Sequence, residues 1–159
     1  MRRGGEGISD MGYQLEAIIG KEQTLGLLAS GFKNAQVVAL AQGMAIIPLT
    51  DELYDEIADG GEVDHFYKLS PGIEAWTARI SAVAPIAYIE ADFLGGFGTQ
   101  GAVAWRDGSR ALGPIHAPDA INQTLRFFGV QVNGVRDEFE AVGLHRHRHT
   151  DDWILSATE

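Results

Sequence analysis

The chain has 159 residues, with 12 lysines and arginines against 22 aspartates and glutamates, giving a formal net charge of -10 at pH 7. That length suits one well-buried core, and a hydrophobic content of 45 % belongs to a globular domain and not to a disordered chain. The charge opposes a phosphate backbone, so nucleic acid is not an expected partner, and the lack of cysteine excludes disulfides, thiolate zinc sites and thiol nucleophiles.

Met1, Arg2 and Arg3 run into a glycine-rich polar stretch instead of an apolar segment, so no secretory signal is expected. No apolar run approaches the roughly 20 residues that cross a bilayer. The cytoplasm is the expected compartment, and no membrane partner is expected. Residues 1–12 read as a flexible tail and residues 13–159 as a single domain.

Tyr13 to Ile19 reads as a first strand and Lys21 to Phe32 as a helix, weakened by Gly26 and Gly31. Gln36 to Leu40 and Met44 to Leu49 read as short strands joined by a hairpin turn at Gln42-Gly43. Thr50 is placed to cap a helix whose first turn holds Asp51 and Glu52 and whose stripe holds Leu53, Tyr54 and Ile57. Asp59 to Asp64 reads as a loop, and from Asp51 to Asp64 the chain carries carboxylates and no basic residue.

Ser70 and Pro71 predict a helix start, with Ile73, Trp76, Ile80 and Val83 at helical spacing and an end at Pro85. Ile86 to Phe93 is the strongest strand. Ala102 to Trp105 continues the sheet, and Asp107-Gly108 predicts a hairpin into a strand at Arg110 to Leu112. Pro118 and Asp119 open a helix that buries Ile121, Leu125 and Phe128 and stops at Gly129. Asp137 to Gly143 reads as a last short helix using Phe139 and Val142. These elements predict an α+β fold: one mixed or mainly antiparallel sheet of about five to six strands with helices packed on it.

Alternation along Tyr88 to Asp92 places Tyr88, Glu90 and Asp92 on one side of a strand, read here as the half-exposed side. Gly95, Gly96, Gly98 and Gly101 lead into a strand and not a helix, so they do not make a phosphate loop; a turn or a tight backbone approach accounts for them. Thr99 and Gln100 stand near that bend as donors to a partner. His145, His147 and His149 would share one face of an extended segment, where Asp151 or Asp152 could complete a zinc or nickel shell. On a helix only His145 and His149 would meet, and beside Arg146 and Arg148 the three can equally form a solvated cationic patch. No serine lies in a nucleophile elbow, and no cofactor loop is present, so an enzyme is not the leading expectation.

The stretch from Tyr88 to Trp105, followed by Ile121-Asn122-Gln123-Thr124-Leu125 and by Asp137 to Leu144, resembles small uncharacterised bacterial proteins, some of them similar to immunity proteins of polymorphic toxin systems. The resemblance runs from about Tyr13 to Trp153. It implies a single-domain α+β protein that masks a toxin domain, and it carries no shared catalytic residues; the acidic charge makes a basic partner the expected one. The expected function is therefore an acidic protein-binding module. Glu52, Asp55, Glu56, Glu90, Asp92, Thr99 and Gln100 form its partner-binding set. The alternatives are a metal-binding protein or metal-dependent hydrolase built on His145, His147, His149 and Asp151, and a small-ligand-binding or structural domain. An exposed sheet edge would allow a homodimer.

Overall fold

The apolar run Ile86 to Ile89 has to be buried on both faces, and it lies at the centre of the sheet. The structure is a computed structural model that describes residues 12–57, 61–94 and 97–158. Its strands are β1 (Tyr13–Lys21), β2 (Val38–Ala39), β3 (Met44–Pro48), β4 (Ile86–Leu94), β5 (Phe97–Arg106) and β6 (Ser109–His116). They form one sheet in the order β2-β3-β1-β4-β5-β6, and every neighbouring pair is antiparallel. The described residues also form six α-helices: α1 (Glu22–Ala29), α2 (Asp51–Ile57), α3 (Pro71–Ile80), α4 (Ala120–Phe127), α5 (Glu138–Val142) and α6 (Thr150–Thr158). The reading of residues 1–12 as a tail lies outside the described residues except at Gly12, as does residues 58–60 of the acidic block.

The helices cover both faces. On one side Leu25 and Leu28 of α1, Leu53 of α2, and Ile73 and Trp76 of α3 pack on Ile18, Ile47, Ile86, Tyr88, Val103 and Trp105. On the other, Ile121 and Leu125 of α4, Val142 of α5 and Trp153 of α6 pack on Leu15, Ile19, Ile46, Ile89 and the small residues Ala87, Ala91, Ala102 and Ala104. The reading of Tyr88, Glu90 and Asp92 as one half-exposed face is corrected at Tyr88, while Glu90 is half-buried and Asp92 exposed. Tyr88 is fully buried, and exposure rises along the strand only where the helical cover runs out. A sheet covered on both faces demands continuous apolar strands, which is why β4 reads as a run and not as an alternation.

Local chemistry fixes the element ends. Gln42 and Gly43 have φ of 60° and 74°, and Asp107 and Gly108 have 54° and 84°, the two positive angles that a tight hairpin turn of matching twist requires. Ser70 Oγ accepts the Ile73 N–H at 3.2 Å and Thr50 Oγ1 accepts the Leu53 N–H at 3.2 Å. The Asp137 carboxylate accepts the Glu140 N–H at 3.0 Å, and Gly143, at φ 94°, closes α5. Helix α3 ends at Ile80 and not at Pro85. Val83 therefore leaves the buried stripe and is 66 % exposed. Among the described residues no helix is long and apolar enough to cross a membrane.

Gly26 is on the exposed side of α1, and a Cβ added there would meet nothing within 4 Å. Gly26→Ala is expected to stabilise the protein by about 0.5–1 kcal/mol, by removing backbone freedom from the unfolded chain. A urea-unfolding midpoint that does not rise would count against this account of α1.

Candidate functional site

Strand β1 carries one carboxylate in an otherwise apolar run, Leu15-Glu16-Ala17-Ile18. Glu16 is 3 % exposed and stands opposite Glu90 in the β1–β4 register, on the face covered by α1, α2 and α3. That face opens here because β3 ends at Pro48, opposite Ala17, and the chain turns away into α2. Beyond that point the segment before α6 takes the place of β3: Gln14 N–H donates to Arg148 O at 2.7 Å. Thr150 then accepts the Glu16 N–H and donates to Glu16 Oε1, both at 3.2 Å.

Gln14 Nε2 donates to the other Glu16 oxygen at 3.1 Å. Burial is the main influence on the Glu16 carboxyl and raises its pKa above the ordinary value of 4.5. The hydrogen bond from Gln14, the nearby Lys68 charge and the Thr150 hydroxyl act in the opposite direction, and Glu90 adds to the rise. Glu90 is bound differently. It accepts the Tyr88 hydroxyl at 2.6 Å and the Tyr67 N–H at 2.8 Å. Burial first, and then the charge of Glu90, push the Tyr88 phenol far above its usual range, which keeps it a donor. The same phenol oxygen accepts the Lys68 N–H at 3.2 Å. Lys68 Nζ reaches Asp51 Oδ1 at 2.7 Å and Leu49 O at 3.0 Å.

These groups line a continuous furrow. A cavity of about 220 Å³ lies between Asp51, Lys68, His149 and Asp151, and one of about 340 Å³ lies between Tyr67, Glu90, Asp92 and Thr99. The two share Gln14, Glu16 and Tyr67 as their common wall. Beyond Glu90 and Thr99 a third cavity of about 430 Å³ extends between His65 and His116. Its wall is braced by Phe66, which stacks on His116 at 4.6 Å and meets Tyr88 edge-on at 5.4 Å. Lys68 is the one lysine or arginine among the described residues that line these cavities, against Glu16, Asp51, Glu90, Asp92 and Asp151. Tyr67 stands over the furrow, 68 % exposed.

The sequence candidates divide against this geometry. Glu90, Asp92 and Thr99 belong to the furrow, and Asp92 pairs with Thr99 across β4 and β5. Glu52 and Asp55 are exposed on α2, with no ion-pair partner among the described residues. Glu56, also exposed, is already engaged within the chain. Its two oxygens accept the N–H groups of Asn34 and Lys33, each at 2.8 Å, and these bonds, Asn34 first, lower its pKa. Gln100 borders the third cavity beside Thr99, but its amide is used elsewhere. Strand alternation sends its side chain to the opposite face, where Oε1 accepts the Ile121 N–H at 2.9 Å and holds the start of α4.

The histidine reading is corrected as well. His145 is exposed in a 3-10 turn, Leu144–Arg146, so the segment is not extended throughout and alternation does not carry all three rings to one side. His147 packs edge-on against Trp153 at 4.6 Å. Only His149 and Asp151 reach the furrow. Among the described residues no three histidine, cysteine, aspartate or glutamate side chains are grouped so as to hold a metal ion.

Glu16, Tyr67 and Lys68 were absent from the sequence candidates. A lone glutamate inside an apolar strand was a usable signal for Glu16. Tyr67 and Lys68 carried none, because their place depends on how the loop before α3 folds over β4. Comparison with protein-family models, with curated proteins and with solved structures found no match to this chain.

Proposed function

We propose that the protein is an acidic binding module that docks a basic protein partner along the furrow and the adjoining exposed face of α2. The observation that carries this reading is the composition of the furrow walls, where Glu16, Glu90, Asp92 and Asp151 face a single lysine already engaged by Asp51. A cationic side chain entering there would offset a buried carboxylate that has hydrogen bonds but no ion pair among the described residues. The exposed ring of Tyr67 offers a face on which an arginine can stack. A net charge of -10 would speed the encounter at long range. A strongly basic toxin domain, of the kind that immunity-like proteins mask, has the chemistry this surface suits.

The test is capture of partners from lysate of the source cells at low and high salt, followed by rate measurements on the recovered complex. Asp92→Lys combined with Glu52→Lys should slow association by roughly tenfold and remove most of its salt dependence. Glu22→Lys, exposed at the far end of β1 from Gln14 and Glu16, should change both far less. Equal rates for the two variants would overturn the placement of the interface.

A further inference from the structure

On the other face of the sheet, β1, β4, α4 and α5 leave a cleft of about 260 Å³. Its apolar walls are the half-buried rings of Tyr13, Phe93 and Phe139. Tyr13 meets Phe139 at 5.4 Å and 62°, and Phe93 at 6.5 Å and 52°, so the rings surround the cleft at steep angles instead of stacking flat. The Tyr13 hydroxyl donates to Leu144 O at 2.8 Å, which holds that ring in place.

Asp137 supplies a carboxylate to the same cleft, with no cationic partner among the described residues. The acceptors on the wall are already engaged. Asp137 Oδ1 takes the Glu140 N–H at 3.0 Å and Oδ2 takes Asn122 Nδ2 at 3.2 Å. Asn122 Oδ1 takes the Phe139 N–H at 2.9 Å, and Gln100 Oε1 takes the Ile121 N–H at 2.9 Å.

We propose that this cleft binds an alkylated ammonium group. Aromatic rings attract a cation through their negative faces, and the Asp137 charge selects a positive ligand over a neutral one. A primary ammonium holds its hydration more tightly, and each carboxylate or amide oxygen on the wall already shares its lone pairs with a protein N–H, so it regains less on entering. A quaternary nitrogen brings no N–H donors and loses little on entering. Its methyl groups bury against the rings while its charge is felt by Asp137. The proposal is independent of the furrow, so failure of either reading leaves the other standing.

The test is an NMR titration of the full chain with choline, with its neutral isostere 3,3-dimethyl-1-butanol, and with a trimethyllysine peptide beside its unmethylated form. Saturable shifts at Tyr13, Phe93 and Phe139 are expected with choline, and binding of the isostere should be roughly tenfold weaker. Asp137→Asn keeps the helix cap through its carbonyl but turns an amide NH2 toward Asn122 Nδ2, so the expected reading is a several-fold loss for choline that the isostere does not share; Phe139→Leu, which keeps the apolar volume, should weaken choline binding further. Saturation by free choline assigns the site to a small cation, whereas saturation by the trimethyllysine peptide alone assigns it to a modified protein tail; both uphold the chemistry. Equal binding of choline and the isostere, or no saturable shift with any probe, would overturn it.

Discussion

Gly101→Ala is expected to destabilise the protein by about 1–3 kcal/mol, the usual cost of forcing extra volume into a packed core. A Cβ at Gly101 would lie 2.8 Å from Phe66 Cε1, 3.1 Å from Phe66 Cδ1 and 3.4 Å from Glu90 Cγ. Phe66 is 1 % exposed and is held on two sides, by His116 at 4.6 Å and by Tyr88 at 5.4 Å, so its ring has little room to yield. Displacing it also moves the next residue, Tyr67, whose N–H holds Glu90. The substitution should therefore lower both the urea-unfolding midpoint and the affinity for a basic partner. Adding Phe66→Leu should recover part of the stability, since the two sites share one contact. A loss below about 0.5 kcal/mol would mean that Phe66 relaxes toward the cavity beside His65 and that the furrow wall is soft.

What could be read from the sequence was local. A cap at Ser70 is visible because a serine followed by proline satisfies an N–H and presets a helical φ, and nothing distant enters that argument. The turns at Gln42-Gly43 and Asp107-Gly108 are legible for the same reason. The furrow was legible in part. Glu90 and Asp92 stood out as alternating carboxylates on a strong strand, but their neighbour Glu16 is brought beside Glu90 by the β3-β1-β4 order, a pairing between residues far apart in the chain. Glu56 looked available because its use depends on the loop at Lys33 and Asn34, which no periodicity announces. The histidines misled because their spacing supports a shared face only in an extended segment, and the 3-10 turn at Leu144–Arg146 breaks it.

Glu16→Gln is expected to stabilise the free protein at neutral pH and, on the proposed function, to weaken partner binding. Its carboxyl pKa is raised in the folded state, chiefly by burial, so the folded protein holds that proton to higher pH than the unfolded chain does. Between the unfolded value of about 4.5 and the folded value, the folded state binds more protons, and stability falls as pH rises. Each unit of upward shift corresponds to about 1.4 kcal/mol lost once pH exceeds the folded value. Asp51 and Glu56 work in the opposite sense and lower in pH. Lys68 holds the Asp51 carboxyl below its ordinary value of 3.8, and the Asn34 and Lys33 N–H groups hold Glu56 below 4.5, so their contributions fade as acid is added. Glutamine at position 16 keeps the Thr150 bond through its carbonyl, and the Gln14 amide can turn over to accept from the new N–H groups. The variant should therefore lose the downward slope above pH 4.5 without losing its packing. Urea unfolding of both proteins from pH 4 to 8 measures this directly. A variant less stable at pH 7, or an offset that does not change with pH, would show that Glu16 is not strained by its burial. If the gain in stability appears together with a loss of association, Glu16 is a group whose burial is costly in the free protein and repaid only when a cation enters the furrow. Stability gained with binding untouched would move the interface off the furrow and onto the exposed face of α2, where Glu52 and Asp55 stand.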